Sequence, residues 1–142
     1  MKTIVDSIML TYNDWKLQNL KKLNIEAYES LMEGFVLKGV PKFKKCLQSL
    51  EYDKEKHEFV SDLTDQEIDI LADWGSILLF EREIQNVTQF NNVLQNKEFQ
   101  MYSQAQNLKE KKDYMIYLQE KVSQDTTDYL LASGSWMDNF KL

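Results

Sequence analysis

The 142-residue chain is poor in residues that make turns, with four glycines and a single proline, Pro41. Folds built from many short strands need such residues at every reversal of the chain, so their shortage favours a few long helices. Hydrophobic residues make up 43% of the chain and charged residues 28%, a balance typical of a packed globular domain. The sequence therefore predicts an all-α helical bundle with a single core.

Residues that carry enzyme chemistry are also scarce, because Cys46 is the only cysteine and His57 the only histidine. No disulfide can form within the chain, and the spaced ligand pairs of a metal site are missing. We expect Cys46 to be a small buried hydrophobic side chain and His57 to lie in a solvated loop. Asp69 and Asp73 share a helix face, and we interpret them as solvated carboxylates rather than an acid–base pair. No phosphate-binding loop or nucleophile motif is present, so the sequence predicts no catalytic residues, no cofactor, no metal and no enzyme activity.

Positive charge is limited as well, since the net charge is −6 and Arg82 is the only arginine. Proteins that grip nucleic acid depend on lysine and arginine, so this balance argues against a nucleic-acid-binding protein. No apolar run reaches the ~18 residues that a transmembrane helix needs, and the N-terminus lacks the apolar stretch of a signal peptide. We expect no membrane association and a cytoplasmic site of synthesis.

Helix signals run through the first half of the chain. A helix is predicted over 3–11, followed by a break at 12–15. The next helix is predicted to begin at the N-cap Asn24 and to end at Gly39 and Pro41. A short helical piece at 42–47 then leads to an irregular loop at 50–63 with an extended stretch near Phe59. The clearest signal follows this loop. Thr64 and Glu67 form a capping box, in which each side chain can bond the other residue's backbone N–H.

The helix behind the capping box, predicted over 64–84, is apolar nearly all the way round. Such a helix is buried on more than one side. It is either the central core helix or a core helix that also meets a neighbouring subunit. For a subunit interface, the candidate residues are Trp74, Ile77 and Phe80.

A long C-terminal helix is predicted from about residue 98, after a connection at 86–89. Its apolar residues recur every seven positions: Leu108, Met115, Val122 and Tyr129, with Leu118 between them. Beyond Ser133 an extended tail carries four large apolar side chains, which are Trp136, Met137, Phe140 and Leu142. Such a tail either docks on a partner or folds back on its own core. The chain thus divides into a helical domain, 1–132, and a docking tail, 133–142.

Two blocks of the sequence resemble the head–tail connector proteins, or portal adaptors, of tailed bacteriophages. They are FVSDLTDQEIDILA at 59–72 and FQMYSQAQNLK at 99–109, and KFKKCL at 42–47 is a weaker third match. Together they cover about 45–110. The chain departs from the family's pattern at 73–76, DWGS, where the relatives are more uniformly apolar.

The resemblance implies a structural virion protein of the phage neck, assembled in the host cytoplasm as a ring of twelve copies on the portal protein. The ring would link the DNA-filled head to the tail or to the next neck component, and residues 133–142 would grip the portal. DNA would pass the bore without specific binding, since twelve copies at −6 carry about −72 and repel phosphate. The alternative is a small cytoplasmic α-helical module that binds or regulates another protein.

Overall fold

The computed structural model describes residues 1–11, 15–93 and 98–133, with the side chains of 1–9, 17–86 and 108–132. Over these ranges the chain forms five α-helices, one 3₁₀ turn and one two-stranded antiparallel sheet. The elements are α1 Lys2–Thr11, α2 Trp15–Leu23, α3 Ile25–Gly39, the 3₁₀ turn Val40–Lys42, β1 Tyr52–Asp53, β2 Glu58–Phe59, α4 Asp65–Val93 and α5 Glu98–Ser133. The predicted all-α class and the long C-terminal helix are confirmed.

Helix α4 lies at the centre of the fold, in contact with α1, α3 and α5, while α2 packs against α3. Its buried residues point to several sides: Ile70, Leu71, Ala72, Ile77, Leu79 and Phe80. This explains why its sequence is apolar nearly all round, because each side meets another helix of the same chain. The prediction of a central core helix is confirmed.

The helix ends follow the local signals of the sequence. The Asn24 side chain accepts a hydrogen bond of 3.1 Å from the backbone N–H of Ala27 and caps α3. At the start of α4, the Thr64 N–H donates to Glu67 Oε1 at 2.8 Å, and the Glu67 N–H donates to Thr64 Oγ1 at 3.3 Å. Both orphan donors of the predicted capping box are therefore satisfied.

The loop at 50–63 contains the short hairpin β1–β2, in which Tyr52 pairs with Phe59 and their rings meet edge to face at 5.1 Å. The extended stretch predicted near Phe59 is thus present. The helical piece predicted at 42–47 is wrong, because the 3₁₀ turn ends at Lys42. Phe43 instead turns into the core and packs edge to face on Tyr129, with ring centroids 5.5 Å apart.

Two predicted breaks are also corrected. The connection expected at 86–89 is helical, since α4 continues to Val93, and Trp15 belongs to α2 rather than to a break. Residues 12–14 lie outside the described residues. Asparagine and threonine lower helix propensity by only a few tenths of a kcal/mol, and neither glycine nor proline interrupts the chain between 76 and 93. So weak a preference is insufficient to end the helix.

Helices α4 and α5 run antiparallel and hold one register over the contacts between their described side chains. Their cross-contacts, from the start of α4 onward, are Glu67 with Tyr129, Asp73 with Lys121, Phe80 with Tyr114 and Glu83 with Lys111. Moving forward along α4 by a given number of residues corresponds to moving backward along α5 by about the same number. On α5 the residues of the seven-residue spacing face α4, with Leu118, Val122 and Tyr129 buried and Met115 packed against the core.

Candidate functional site

The predicted docking tail lies almost wholly outside the described residues. Trp136, Met137, Phe140 and Leu142 all belong to 134–142. Helix α5 continues to Ser133, just beyond the residues that bond to the start of α4.

The three predicted interface residues on α4 lie mostly inside the chain. Ile77 is 1% exposed and Phe80 is 8% exposed, so both belong to the core of the single chain. Trp74 is half-buried, and its Cβ lies close to Gly39 at the end of α3. Because α1, α3 and α5 enclose α4, Ile77 and Phe80 offer almost no surface to a neighbouring subunit.

A buried carboxylate joins three segments of the chain near the end of α5. Glu67 is 1% exposed, and its Oε1 accepts from the Gln48 amide at 2.6 Å as well as from the Thr64 N–H. Its Oε2 accepts from the Tyr129 hydroxyl at 2.8 Å and from the Cys46 thiol at 3.2 Å. We call these five residues the Glu67 cluster.

The electrostatics of the Glu67 cluster suit a structural role. Burial alone would raise the pKa of Glu67, but the donors around it outweigh burial and lower the pKa. Burial and the adjacent carboxylate raise the pKa of Tyr129. Burial also raises the pKa of the Cys46 thiol, which disfavours the nucleophilic thiolate. Cys46 is therefore a half-buried hydrogen-bond donor rather than the plain hydrophobic side chain expected from the sequence.

An ion pair crosses between α4 and α5 one and a half turns further along. The Lys121 ammonium donates to Asp73 Oδ2 at 2.8 Å and to Asp125 Oδ2 at 2.9 Å. Burial raises the pKa of Asp73, and Lys121 opposes this only in part. The two carboxylates raise the pKa of Lys121 despite its own partial burial. The expectation that Asp73 is solvated is wrong, whereas Asp69 is exposed as expected.

The residues at 73–76, where the chain departs from the connector pattern, each have a packing role. Gly75 admits Ile8 of α1, since a Cβ at this position would lie 2.7 Å from Ile8 Cδ1. Trp74 packs against the core, and the Ser76 hydroxyl donates to the backbone one turn back at 2.9 Å. The polar and small residues of this stretch thus fit the neighbours that α4 has in this chain.

His57 sits at the turn of the β-hairpin with a positive φ of 55°. Its side chain is exposed, as expected, and its Nδ1 lies 2.9 Å from Glu33 Oε2 of α3. Among the side chains that the structure describes, no group of three or more histidine, cysteine or acidic residues is arranged to hold a metal ion. Within the same part of the chain, no helix is long and apolar enough to cross a membrane.

Large apolar side chains reach the surface at Leu47 and Val60, between the 3₁₀ turn and α4, and in two further places. Leu23, 87% exposed, and Ile25 flank the turn between α2 and α3. On α5, Ile116 and Tyr117 are exposed, and Tyr117 extends a chain of rings from Phe80 through Tyr114. Sequence reasoning missed both places, because an apolar residue that is off the core face looks like any other until the packing partners are known.

These exposed apolar side chains are the candidate functional site, and their chemistry is that of protein binding. The buried carboxylates of Glu67 and Asp73 are instead bonded to side chains of α5. Comparison of the chain with protein-family models, with curated proteins and with solved structures finds no match.

Proposed function

We propose that the chain is a structural, non-catalytic subunit of a phage neck, which forms a ring on the portal and links the head to the tail or to the next neck component. The observation that carries this proposal is the outer face of α5, where Ile116, Tyr117 and Leu131 are exposed. The same helix leads directly into the apolar residues of 133–142. A solvent-facing helix that continues into an apolar tail is suited to binding other proteins.

The buried polar groups support a structural role. Glu67 and Asp73 are the kind of buried acid that an enzyme uses, but here both bond to side chains of α5. These contacts hold the α4–α5 pair in register, and both carboxylates are buried. An acidic chain also suits a ring through which DNA passes, since a negative bore repels the phosphate backbone.

The test mixes the purified chain with the portal protein that the proposal requires the same genome to encode. We expect the mixture to sediment together and negative-stain electron micrographs to show a ring on the portal. Deletion of 133–142 is expected to abolish docking while the helical circular dichroism stays unchanged. If the full chain neither sediments with the portal nor adds density to it, the proposal is wrong.

The second candidate is a small helical module that binds or regulates another protein. The exposed side chains of Leu23 and Ile25, at the turn between α2 and α3, suit this module as well as they suit the adaptor. The two candidates differ in their partner. Portal and capsid genes next to this one, together with portal binding, support the adaptor. Their absence, with capture of a single defined partner protein, supports the module.

A further inference from the structure

The outer face of α5 carries an acidic stripe. Its members are all exposed and lie on one face of the helix, at the spacing of one helical turn apart from the adjacent pair Ile116 and Tyr117: Asp113, Ile116, Tyr117, Glu120, Gln124, Asp128 and Leu131. Lys121 is the only lysine between 113 and 131; Asp73 holds it towards α4, and it also pairs with Asp125 one turn further along α5. The stripe is therefore both apolar and negatively charged along about 27 Å of helix.

Helix α2 and the turn after it have the opposite character. The helix contains no acidic residue, and Lys21 and Lys22 in its last turn are exposed. Lys21 also lies over the Tyr28 ring, 5.5 Å from the centroid. Leu23 and Ile25 project at the adjoining turn. We call Lys21, Lys22, Leu23 and Ile25 the basic edge, and it combines positive charge with exposed aliphatic side chains in a chain whose net charge is negative.

The acidic stripe and the basic edge lie on separate elements, since α2 packs against α3 and α5 packs against α4. Two unlike and complementary surfaces on one subunit permit head-to-tail association, which closes into a ring when the rotation between neighbours divides a full turn. We infer that the basic edge of one copy binds the acidic stripe of a second copy of this chain. The inference rests on the proposed ring and names its subunit contact.

The charges and the apolar side chains have different parts in this contact. Lys21 and Lys22 would lie against Glu120 and Asp128. These opposite charges set the relative orientation of the two copies and speed their encounter. Leu23 and Ile25 would cover Ile116 and Tyr117, which removes apolar surface from water. Because the charge pairs are at the rim, association weakens as ionic strength rises and the Debye length falls below about 10 Å.

A charge exchange tests this contact. One variant carries Lys21→Glu and Lys22→Glu, and the other carries Glu120→Lys and Asp128→Lys. Each variant alone places like charges in the contact, and we expect its dissociation constant for self-association to rise about tenfold or more. In an equal mixture, every contact between the two variants again joins opposite charges. Sedimentation velocity at low ionic strength should show association lost in each variant and restored in the mixture.

The matched control is Lys54→Glu with Lys56→Glu, which makes the same change of net charge at exposed positions in the β-hairpin turn. It should self-associate like the unaltered chain, and circular dichroism should show all variants equally helical. A monomeric unaltered chain, or a mixture that stays dissociated, overturns the inferred contact. Portal binding is measured separately on the unaltered chain. If the chain binds portal but the charge exchange does not change its self-association, the proposed function stands and the inferred contact is wrong.

Discussion

Tyr129 and Glu67 are 62 positions apart in the chain, yet the Tyr129 hydroxyl donates a hydrogen bond of 2.8 Å to the buried Glu67 carboxylate. The same hydroxyl accepts a hydrogen bond of 2.9 Å from the Leu47 N–H. One phenol oxygen thus connects the end of α5, the start of α4 and the segment after the 3₁₀ turn. The end of the long helix is fixed to the body of the domain at this point.

The first prediction concerns this hydroxyl. Tyr129→Phe removes a donor to a buried charged group and leaves the Leu47 N–H without that acceptor, so we expect a loss of about 2–3 kcal/mol in the free energy of unfolding. Urea unfolding followed by circular dichroism measures it. Tyr117→Phe removes the same atom from a side chain that is 53% exposed and should change stability by less than about 0.5 kcal/mol. Equal effects of the two variants would contradict a stabilising role for Tyr129.

The second prediction is a pH dependence that comes from Glu67. Its folded pKa is lowered, so its ionised form stabilises the fold at every pH above the ordinary glutamate pKa of about 4.3. That contribution declines as the pH falls towards the lowered folded pKa. The difference in unfolding free energy between the unaltered chain and Glu67→Gln should be constant near neutral pH and shrink below about pH 4.3. A difference that stays the same throughout acid titration would refute this account, and the exposed Glu110→Gln is the control.

The third prediction concerns Lys121, the partner of Asp73. Lys121→Met leaves a buried carboxylate without its ammonium, and we expect a loss of about 1–2 kcal/mol at neutral pH, less than for a fully buried pair because Lys121 retains 39% exposure. Burial already raises the folded pKa of Asp73, and removal of Lys121 raises it further. The loss should therefore diminish as the pH falls through that pKa and Asp73 becomes neutral. Lys112→Met, at an exposed position, should show neither effect.

The fourth prediction compares two glycines in helices. Gly75→Ala places a methyl group 2.7 Å from Ile8 Cδ1, and we expect a loss of about 1–3 kcal/mol from overpacking. Gly34→Ala meets nothing within 4 Å and should instead stabilise α3 by up to about 1 kcal/mol. Thermal unfolding of both variants gives the comparison.

A second substitution checks the cause of the Gly75 effect. Ile8→Val removes the Cδ1 atom that a Cβ at Gly75 would meet. We expect Gly75→Ala to cost less in the Ile8→Val background than in the unaltered chain, which is a favourable coupling in a double-mutant cycle. Strictly additive losses would mean that the contact with Ile8 is not responsible.

The sequence predicted most of the helices because their signals are local. Asn24 and the capping box at Thr64 each act on groups within four residues, so their spacing alone identifies them. The seven-residue recurrence that ends at Tyr129 likewise identified one face of α5. The extent of α4 beyond residue 84 was missed, because Asn86 and Thr88 lower helix propensity too little to end a helix.

The candidate site was less predictable because its residues are placed by contacts that are distant in the sequence. Asp73 looks like a surface residue until Lys121 is brought beside it, and Ile77 looks available to a partner until α1 and α3 cover α4. The partners lie in other elements, and their positions follow from the packing of the whole chain. Exposed residues such as Leu23 give no signal of their own in the sequence, because an apolar side chain does not reveal which side of its helix will be covered.

The single register of α4 on α5 restricts how the length of this helix pair can change. Insertion of one residue in α4 between Asp73 and Phe80 rotates everything beyond it by about 100° and advances it by about 1.5 Å. After the insertion, Phe80 no longer faces Tyr114 and Glu83 no longer faces Lys111. The contacts of Glu67 and Asp73 with α5 remain. Related chains can therefore lengthen or shorten the pair only by compensated steps in both helices, near seven residues in each, so that the same faces meet again.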